Sequence, residues 1–217
     1  MFRNITDVYT RDRTDHRDNV MDIKVRLEEE RDYRKVEEIT RSAFSYPGRI
    51  ENGGIGCPYE HWMVHALREK DGIKELSFVA EVNGSVIGHI IYSHARIETA
   101  DGRKVHVLNF GPVSVQPEYQ RQGAGKALMK TSIAKAKELG YGAICFFGRP
   151  EYYPQFGFIE AKEFGITDLN GANYPAFMAM ELKTGYLKYS HGKYYESSIY
   201  DDNLNKDAVK EYDKSFK

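Results

Sequence analysis

The run Gln120-Arg121-Gln122-Gly123-Ala124-Gly125-Lys126 stands between a strand-like segment and an amphipathic one, a placement that suits anion binding. A helix start presents unpaired backbone N–H groups and about half a positive charge, and glycines there let a phosphate approach the backbone closely. Two familiar phosphate loops are excluded at named positions. A dinucleotide fingerprint needs a small residue at position 128, where Leu128 stands, and its strand should open the fold. A Walker A loop needs Gly at 120 and Ser or Thr at 127, where this sequence has Gln120 and Ala127. A glycine-softened loop without a ligand is the competing reading, under which Arg121 and Lys126 are plain solvated charges.

Other residues with chemical capacity are scattered. Glu81, His89, Glu98 and His106 lie on candidate strands and are candidate bases, although each reads first as a solvated or structural polar residue. His61 and His65 share a helix face at i, i+4, but a metalloprotease motif needs Glu at 62, where Trp62 sits, so no metal site is expected. Cys57 and Cys145 form no CxxC or Cys/His cluster, which argues against a disulfide framework or a zinc site.

The elements that must position these residues follow from pattern. Residues 1–20 are polar and aperiodic and read as a poorly ordered leader. A short strand over 23–27 leads into a helix with apolar positions Tyr33, Val36, Ile39, Ala43 and Phe44, ending before Pro47. A Gly-rich loop over 48–58 and a second short helix over 59–70 follow. Strands over 77–82 and 86–97 flank Asn83-Gly84, a type I′ hairpin turn, and Asp101-Gly102 leads into a third strand over 105–115. After Pro117 and the Gly-rich loop, Ala127, Leu128, Ile133, Ala134 and Leu139 mark a helix closed by Gly140, and 143–147 is short enough for a buried strand. Strand, loop, helix and strand make a βαβ crossover, so these two strands should be parallel. Further strands are expected over 158–161 and 177–182, giving a mixed α/β sheet. One domain over 21–183 and a tyrosine-rich extension over 184–217, packed on it or forming a homodimer contact, complete the expected organisation.

Gln120-x-x-Gly123-x-Gly125, after a strand ending Val113-Ser114-Val115, resembles the acetyl-CoA signature of the GNAT N-acetyltransferases. Downstream, Tyr153-Pro-Gln-Phe-Gly157-Phe158 is similar to that family's Tyr-x-x-x-Gly-Phe segment, and the longer run from Gly148 to Phe158 resembles a bacterial subgroup of predicted acetyltransferases. The resemblance covers roughly residues 22–182. It implies a GNAT-like fold in which the strand before the loop and the strand after the helix splay apart around the pantetheine arm of acetyl-CoA. The sequence is compatible, because Pro112 has no N–H for a ladder and Gly111 packs poorly in one. By resemblance, backbone groups of Val113, Ser114 and Val115 bind the pantetheine, and the loop from Gln120 through Arg121, Gln122, Gly123, Ala124, Gly125 and Lys126 holds the pyrophosphate.

Acyl transfer from a thioester to an amine needs a neutral amine, a stabilised oxyanion and a proton for the departing thiolate. Backbone donors on the splayed strand meet the second need. Tyr153 matches the family's general acid, and Tyr152 reads as its packing neighbour. No carboxylate stands among Asn109, Gly111 and Val113, so the base is unassigned and water could relay the proton. The acceptor, a small-molecule or peptide amine, is not written in the sequence. A non-catalytic acyl-CoA sensor would use the same cradle, but a sensor needs no Tyr153. Composition fits a specific enzyme: 31 basic against 32 acidic residues give a formal charge of −1, so no global field favours nucleic acid or membrane, and no apolar run is long enough to span a bilayer. Reduced thiols and the charged N-terminus suggest a cytoplasmic setting.

Overall fold

The computed structural model describes residues 21–47 and 55–216; the leader and most of the Gly-rich segment 48–58 lie outside the described residues. Asn83 and Gly84 adopt left-handed angles, φ 51° and 78°, and close a hairpin between β2 (Gly72–Val82) and β3 (Ser85–Thr99). These are the signs a type I′ turn requires. Gly102, φ 82°, serves the next turn into β4 (Lys104–Val115). β1 (Lys24–Leu27) pairs with β2, and between them come α1 (Tyr33–Phe44) and α2 (Glu60–Glu69). The crossover helix α3 (Ala124–Glu138) then leads to β5 (Ala143–Phe147), which runs parallel to β4.

β6 (Ile159–Glu160), β7 (Ile166–Thr167), β8 (Phe177–Glu181) and β9 (Gly192–Tyr195) complete a nine-stranded sheet of order β1-β2-β3-β4-β5-β8-β6. β3 is long enough for two partners on one edge: β2 covers its first part, and β9 pairs with Arg96 to Thr99. A final helix, α4 (Lys206–Asp213), packs against α2. The sheet is mostly antiparallel with β4 and β5 as its parallel pair at the crossover, as the hairpin and crossover signals imply.

Side-chain alternation sorts the sheet into two faces. Tyr92, Leu108, Phe110, Ile144 and Phe146 join Leu128, Met129 and Ile133 of α3 in one core, while Ala95, Val107, Cys145, Ala179 and Tyr194 pack on the opposite face. A bulge then changes the parity of β4. Ile90 faces Val113 and Tyr92 faces Phe110, so β4 carries one extra residue at Gly111-Pro112, where the peptide is cis and Gly111 has φ 144°. Beyond it Val113 and Val115 pack toward α3, and Ser114 turns to the other face, where its Oγ lies 2.9 Å from Thr40 Oγ1 of α1. Because side chains alternate with period two, one inserted residue exchanges the faces.

The tyrosine-rich extension beyond residue 184 carries regular structure, β9 and α4. β9 is stabilised by pairing with β3 and β7, partners remote in sequence, which local pattern cannot register. Its tyrosines mostly pack: Tyr194 is buried with its hydroxyl donating to Cys145 O at 2.8 Å, and Tyr186 donates to His106 O at 2.8 Å.

Candidate active site

The glycine loop and α3 form the first part of the site. Gly123 is the N-cap of α3 with φ 100°, and Arg121 also has a left-handed angle, φ 60°. The first bond into the helix runs from Ala127 N–H to Gly123 O, 2.9 Å, which leaves the N–H groups of Ala124, Gly125 and Lys126 with no acceptor in the helix. The side chain of Gln120 donates to Val115 O at 3.0 Å and that of Gln122 to Glu118 O at 2.7 Å, so both amides brace the loop.

β4 supplies the second part. Gln116 N–H donates to Ile87 O at 2.8 Å, and hydrogen-bonded and non-bonded pairs alternate along an antiparallel ladder. Ser114 therefore addresses β3, while the backbone groups of Val113 and Val115 turn away from β3 toward the side on which β5 has ended. β4 and β5 share a single ladder pair, Leu108 with Ile144, so the strands part immediately after it. Of the strand residues singled out in the sequence, Val113 and Val115 face the gap; Ser114 does not, and its hydroxyl is engaged by Thr40.

The tyrosines close the gap on the α3 face. A 3-10 turn, Tyr153–Phe156, ends at Gly157 with φ 99° and sets the Tyr153 ring against Phe110 and Phe146, centroids 5.7 and 4.6 Å away. A Cβ on Gly148 would overlap both the Phe146 and Tyr153 rings, so only glycine leaves room for this placement. Among the described residues the Tyr153 hydroxyl has no hydrogen-bond partner, and burial raises its pKa, with Tyr152 adding to the rise and Arg149 opposing it. The phenol therefore keeps its proton at any working pH. Tyr152 is more than packing: its hydroxyl lies 3.2 Å from where a Cβ on Gly125 would stand, over the first turn of α3.

None of the four candidate bases reaches the gap. His89 is fully buried beneath α2, 3.1 Å from Ser77 Oγ and 3.3 Å from Glu28. Glu81 is held by Arg26 near the hairpin end, and Glu98 by Arg96 at 2.8 Å near the far end of β3. His106 is exposed ahead of the Leu108 pair. His61 is buried 3.2 Å from Asp213, with burial pulling its pKa down to about 4, and no cluster of His, Cys, Asp or Glu able to hold a metal occurs among the described residues.

A residue that sequence reasoning passed over does reach it. Asn109 Nδ2 donates to Glu196 Oε2 at 2.7 Å, across 87 positions of chain. Glu196 follows β9, and burial pushes its carboxyl up to about 7; Tyr194 and Asn109 oppose the rise and Asp201 adds to it. By surface area the residue is exposed, yet its carboxylate is desolvated and reaches Asn109, which is only 2% exposed. No local signal could have found Glu196, because only the β3–β9 pairing brings it to β4.

Comparison with known proteins agrees with this geometry. The chain is similar to the uncharacterized N-acetyltransferase YjhQ of Escherichia coli, 32% identical over 111 residues, covering 50% of this chain and 60% of that relative. The fold matches that of a GNAT family N-acetyltransferase (YhbS) from Escherichia coli solved in complex with CoA, with TM-score 0.71 at 23% identity over 86% of this chain and 96% of that one. It also matches a GNAT family acetyltransferase from Brucella melitensis solved with acetyl-CoA, with TM-score 0.62 at 27% identity over 82% and 98% of the two chains. The acetyltransferase (GNAT) family model matches residues 33–158, from the start of α1 through both tyrosines to Phe158, and the chain belongs to that family.

Proposed function

We propose that this protein is an acyl-CoA-dependent N-acyltransferase that transfers an acetyl group from acetyl-CoA to a primary amine by direct attack in a ternary complex. The observation that carries this reading is the junction of two open backbone surfaces: the free N–H groups at the start of α3, and the Val113 groups with the Val115 N–H beyond the end of β5, the Val115 carbonyl being held by Gln120. The first suits a pyrophosphate, with Arg121 to Lys126 around it, and the second an extended pantetheine arm hydrogen-bonded like a strand. Val113 or Val115 N–H then stabilises the oxyanion, and Tyr153, on the α3 face of the gap, protonates the thiolate. The relatives solved with CoA and acetyl-CoA support the choice of cosubstrate. Residues 21–183 form the catalytic domain in this reading and 184–217 pack on it, and a cytoplasmic location accords with the buried thiol of Cys145.

Acetyl-CoA should raise the melting temperature, since a ligand that binds only the folded state adds about 2.7 kcal/mol at a hundredfold excess over its dissociation constant. A thermal-shift titration measures this, and an unchanged melting temperature at millimolar acetyl-CoA would sink the reading. Thiol release across a panel of primary amines tests turnover itself.

Gly125→Val places a branched side chain 3.2 Å from the Tyr152 hydroxyl and 3.8 Å from a Val115 methyl, at the mouth of the cradle. Acetyl-CoA affinity by calorimetry should fall at least about tenfold, roughly 1.4 kcal/mol, with the fold retained. Unchanged affinity in a folded variant would show that the loop is not the cradle.

A further inference from the structure

Resting on the acetyl-transfer reading above, we infer that Glu196 receives the acceptor's ammonium group and takes its proton, with Asn109 and Tyr194 as positioning residues. The argument begins where β4 and β5 part. Their ladder pair is Leu108 with Ile144, and the next residue on each strand addresses Glu196 from its own side of the gap: Asn109 donates to the carboxylate directly, and Cys145 O accepts from Tyr194, whose hydroxyl acts on the same carboxylate. One residue further along each strand, Phe110 and Phe146 turn to the opposite face and carry Tyr153. A thioester in the gap therefore has Tyr153 on one face of the sheet and Glu196 on the other. That is the disposition an amide-forming transfer needs, with the acid at sulfur and the base at nitrogen.

The groups around Glu196 define what it can bind. Tyr194 on β9, Tyr200 and Asp201 in the segment after it, and Asn109 on β4 face it, and none is a cation. Among the described residues no Lys, Arg or His pairs with this carboxylate, whereas Glu28, Glu37, Glu81 and Asp213 are each held by an arginine. A desolvated carboxylate with no protein cation, backed by Asp201 and walled by aromatic rings, is matched to a primary amine that arrives protonated. The proton inventory closes. The ammonium gives one proton to Glu196, the neutral nitrogen attacks the thioester carbon, and the C–N bond forms as the C–S bond breaks. Glu196 passes that proton to solvent and, ionised again, takes the nitrogen's second surplus proton and releases it likewise, while Tyr153 protonates the thiolate and is refilled from solvent. In sum one proton ends on sulfur and one in water.

Burial lifts the Glu196 carboxyl to about 7, so the basic form grows in as pH rises through neutrality. The test follows thiol release from acetyl-CoA with a primary monoamine, a diamine and a lysine-ended peptide, from pH 5.5 to 9. Wild-type kcat/KM for a responding amine should rise about tenfold per pH unit below the inflection and show a break near 7 over the amine's own titration. Glu196→Gln should lower kcat/KM by about 10²–10⁴-fold and erase that break while acetyl-CoA affinity stays within about twofold. Asn109→Ala removes a group that favours the carboxylate, so the break should move to higher pH, a shift that loss of packing alone would not produce. Glu196→Asp should retain the break at reduced rate. A Glu196→Gln enzyme with wild-type kcat/KM and an unmoved break overturns this inference and leaves acetyl transfer standing. Wild-type protein that binds acetyl-CoA and releases no thiol with any amine overturns the transfer reading beneath it.

Discussion

Tyr153→Phe should lower kcat at least tenfold, and by as much as 10²–10⁴-fold if the hydroxyl is the sole acid, since that is the usual worth of general acid catalysis. The substitution is close to isosteric where it matters. The ring sits edge-on to Phe146 at 4.6 Å and near Phe110 at 5.7 Å, contacts a phenyl ring keeps, and among the described residues the hydroxyl has no hydrogen-bond partner to lose. Stability and acetyl-CoA affinity should therefore change little. Burial raises the phenol's pKa, so its proton remains in place across the working range and kcat should show no loss as pH climbs toward 10. The same shift makes transfer to a thiolate of pKa about 8.5 uphill, which requires the proton to move as the C–S bond breaks, not before it. Tyr152→Phe is the control. Its hydroxyl stands over Gly125, so its removal should act on the KM for acetyl-CoA more than on kcat. Steady-state kinetics on the pair, with burst measurements to show that chemistry limits turnover, decides the assignment; near-full kcat in Tyr153→Phe would pass the role of acid to solvent or another donor.

Arg68→Ala should destabilise the fold by about 3–5 kcal/mol, because it strands buried charge. Arg68 on α2 binds Glu28 at 2.5 Å and Glu37 at 2.7 Å, and the three side chains are only 7%, 3% and 7% exposed. Its guanidinium also lies 4.2 Å from the Tyr33 ring centroid. Glu28 further accepts from Ser77 Oγ at 2.7 Å and stands 3.3 Å from His89, so α1, α2, β2 and β3 meet in one polar network. Burial alone would raise the Glu28 pKa, yet His89 and Arg68 hold it far below its ordinary value of 4.5. A depressed carboxyl contributes stability that is present above the unfolded pKa and lost as pH falls toward the folded one. The Arg68→Ala penalty should accordingly be largest near neutral pH and shrink in acid, where the stranded carboxylates can protonate. For a chain of this size the shift in melting temperature at pH 7 should be on the order of 10 °C. A drop of under about 2 °C would show that the network contributes little net stability.

The two halves of the site differ in how far they can be read from the chain. The cradle is local chemistry: a helix start, the left-handed Gly123 and a strand ending at Val115 lie within about a dozen residues, and each is stated by residue type. The hairpin turns at Asn83-Gly84 and Gly102 and the β4–α3–β5 crossover are legible for the same reason. Gly111-Pro112 signalled a bulge, but not that the bulge would turn Ser114 to Thr40 and present Val113 and Val115 with their backbones to the gap. The base is the opposite case. Four candidates were chosen because they sit on strands, and each proved to be bound or distant once the register was known. His89 is the clearest: its strand position suggested access to the site, while alternation buries it against Glu28.

By itself, then, the sequence determined what is encoded within one or two elements: the mixed sheet, the glycine-rich helix start proposed here to bind phosphate, the paired tyrosines before Gly157-Phe158 and, through them, the family. Backbone preferences act over a few residues, so such features survive without any knowledge of partners. The tertiary structure alone decided which groups face one another across the gap. Pairing of β9 with β3 carries Glu196 to Asn109 over 87 positions, and desolvation there turns an unremarkable glutamate into one that titrates near 7. Burial and facing are set by contacts between distant segments, and a pKa is a property of that surrounding volume, which no stretch of chain contains on its own.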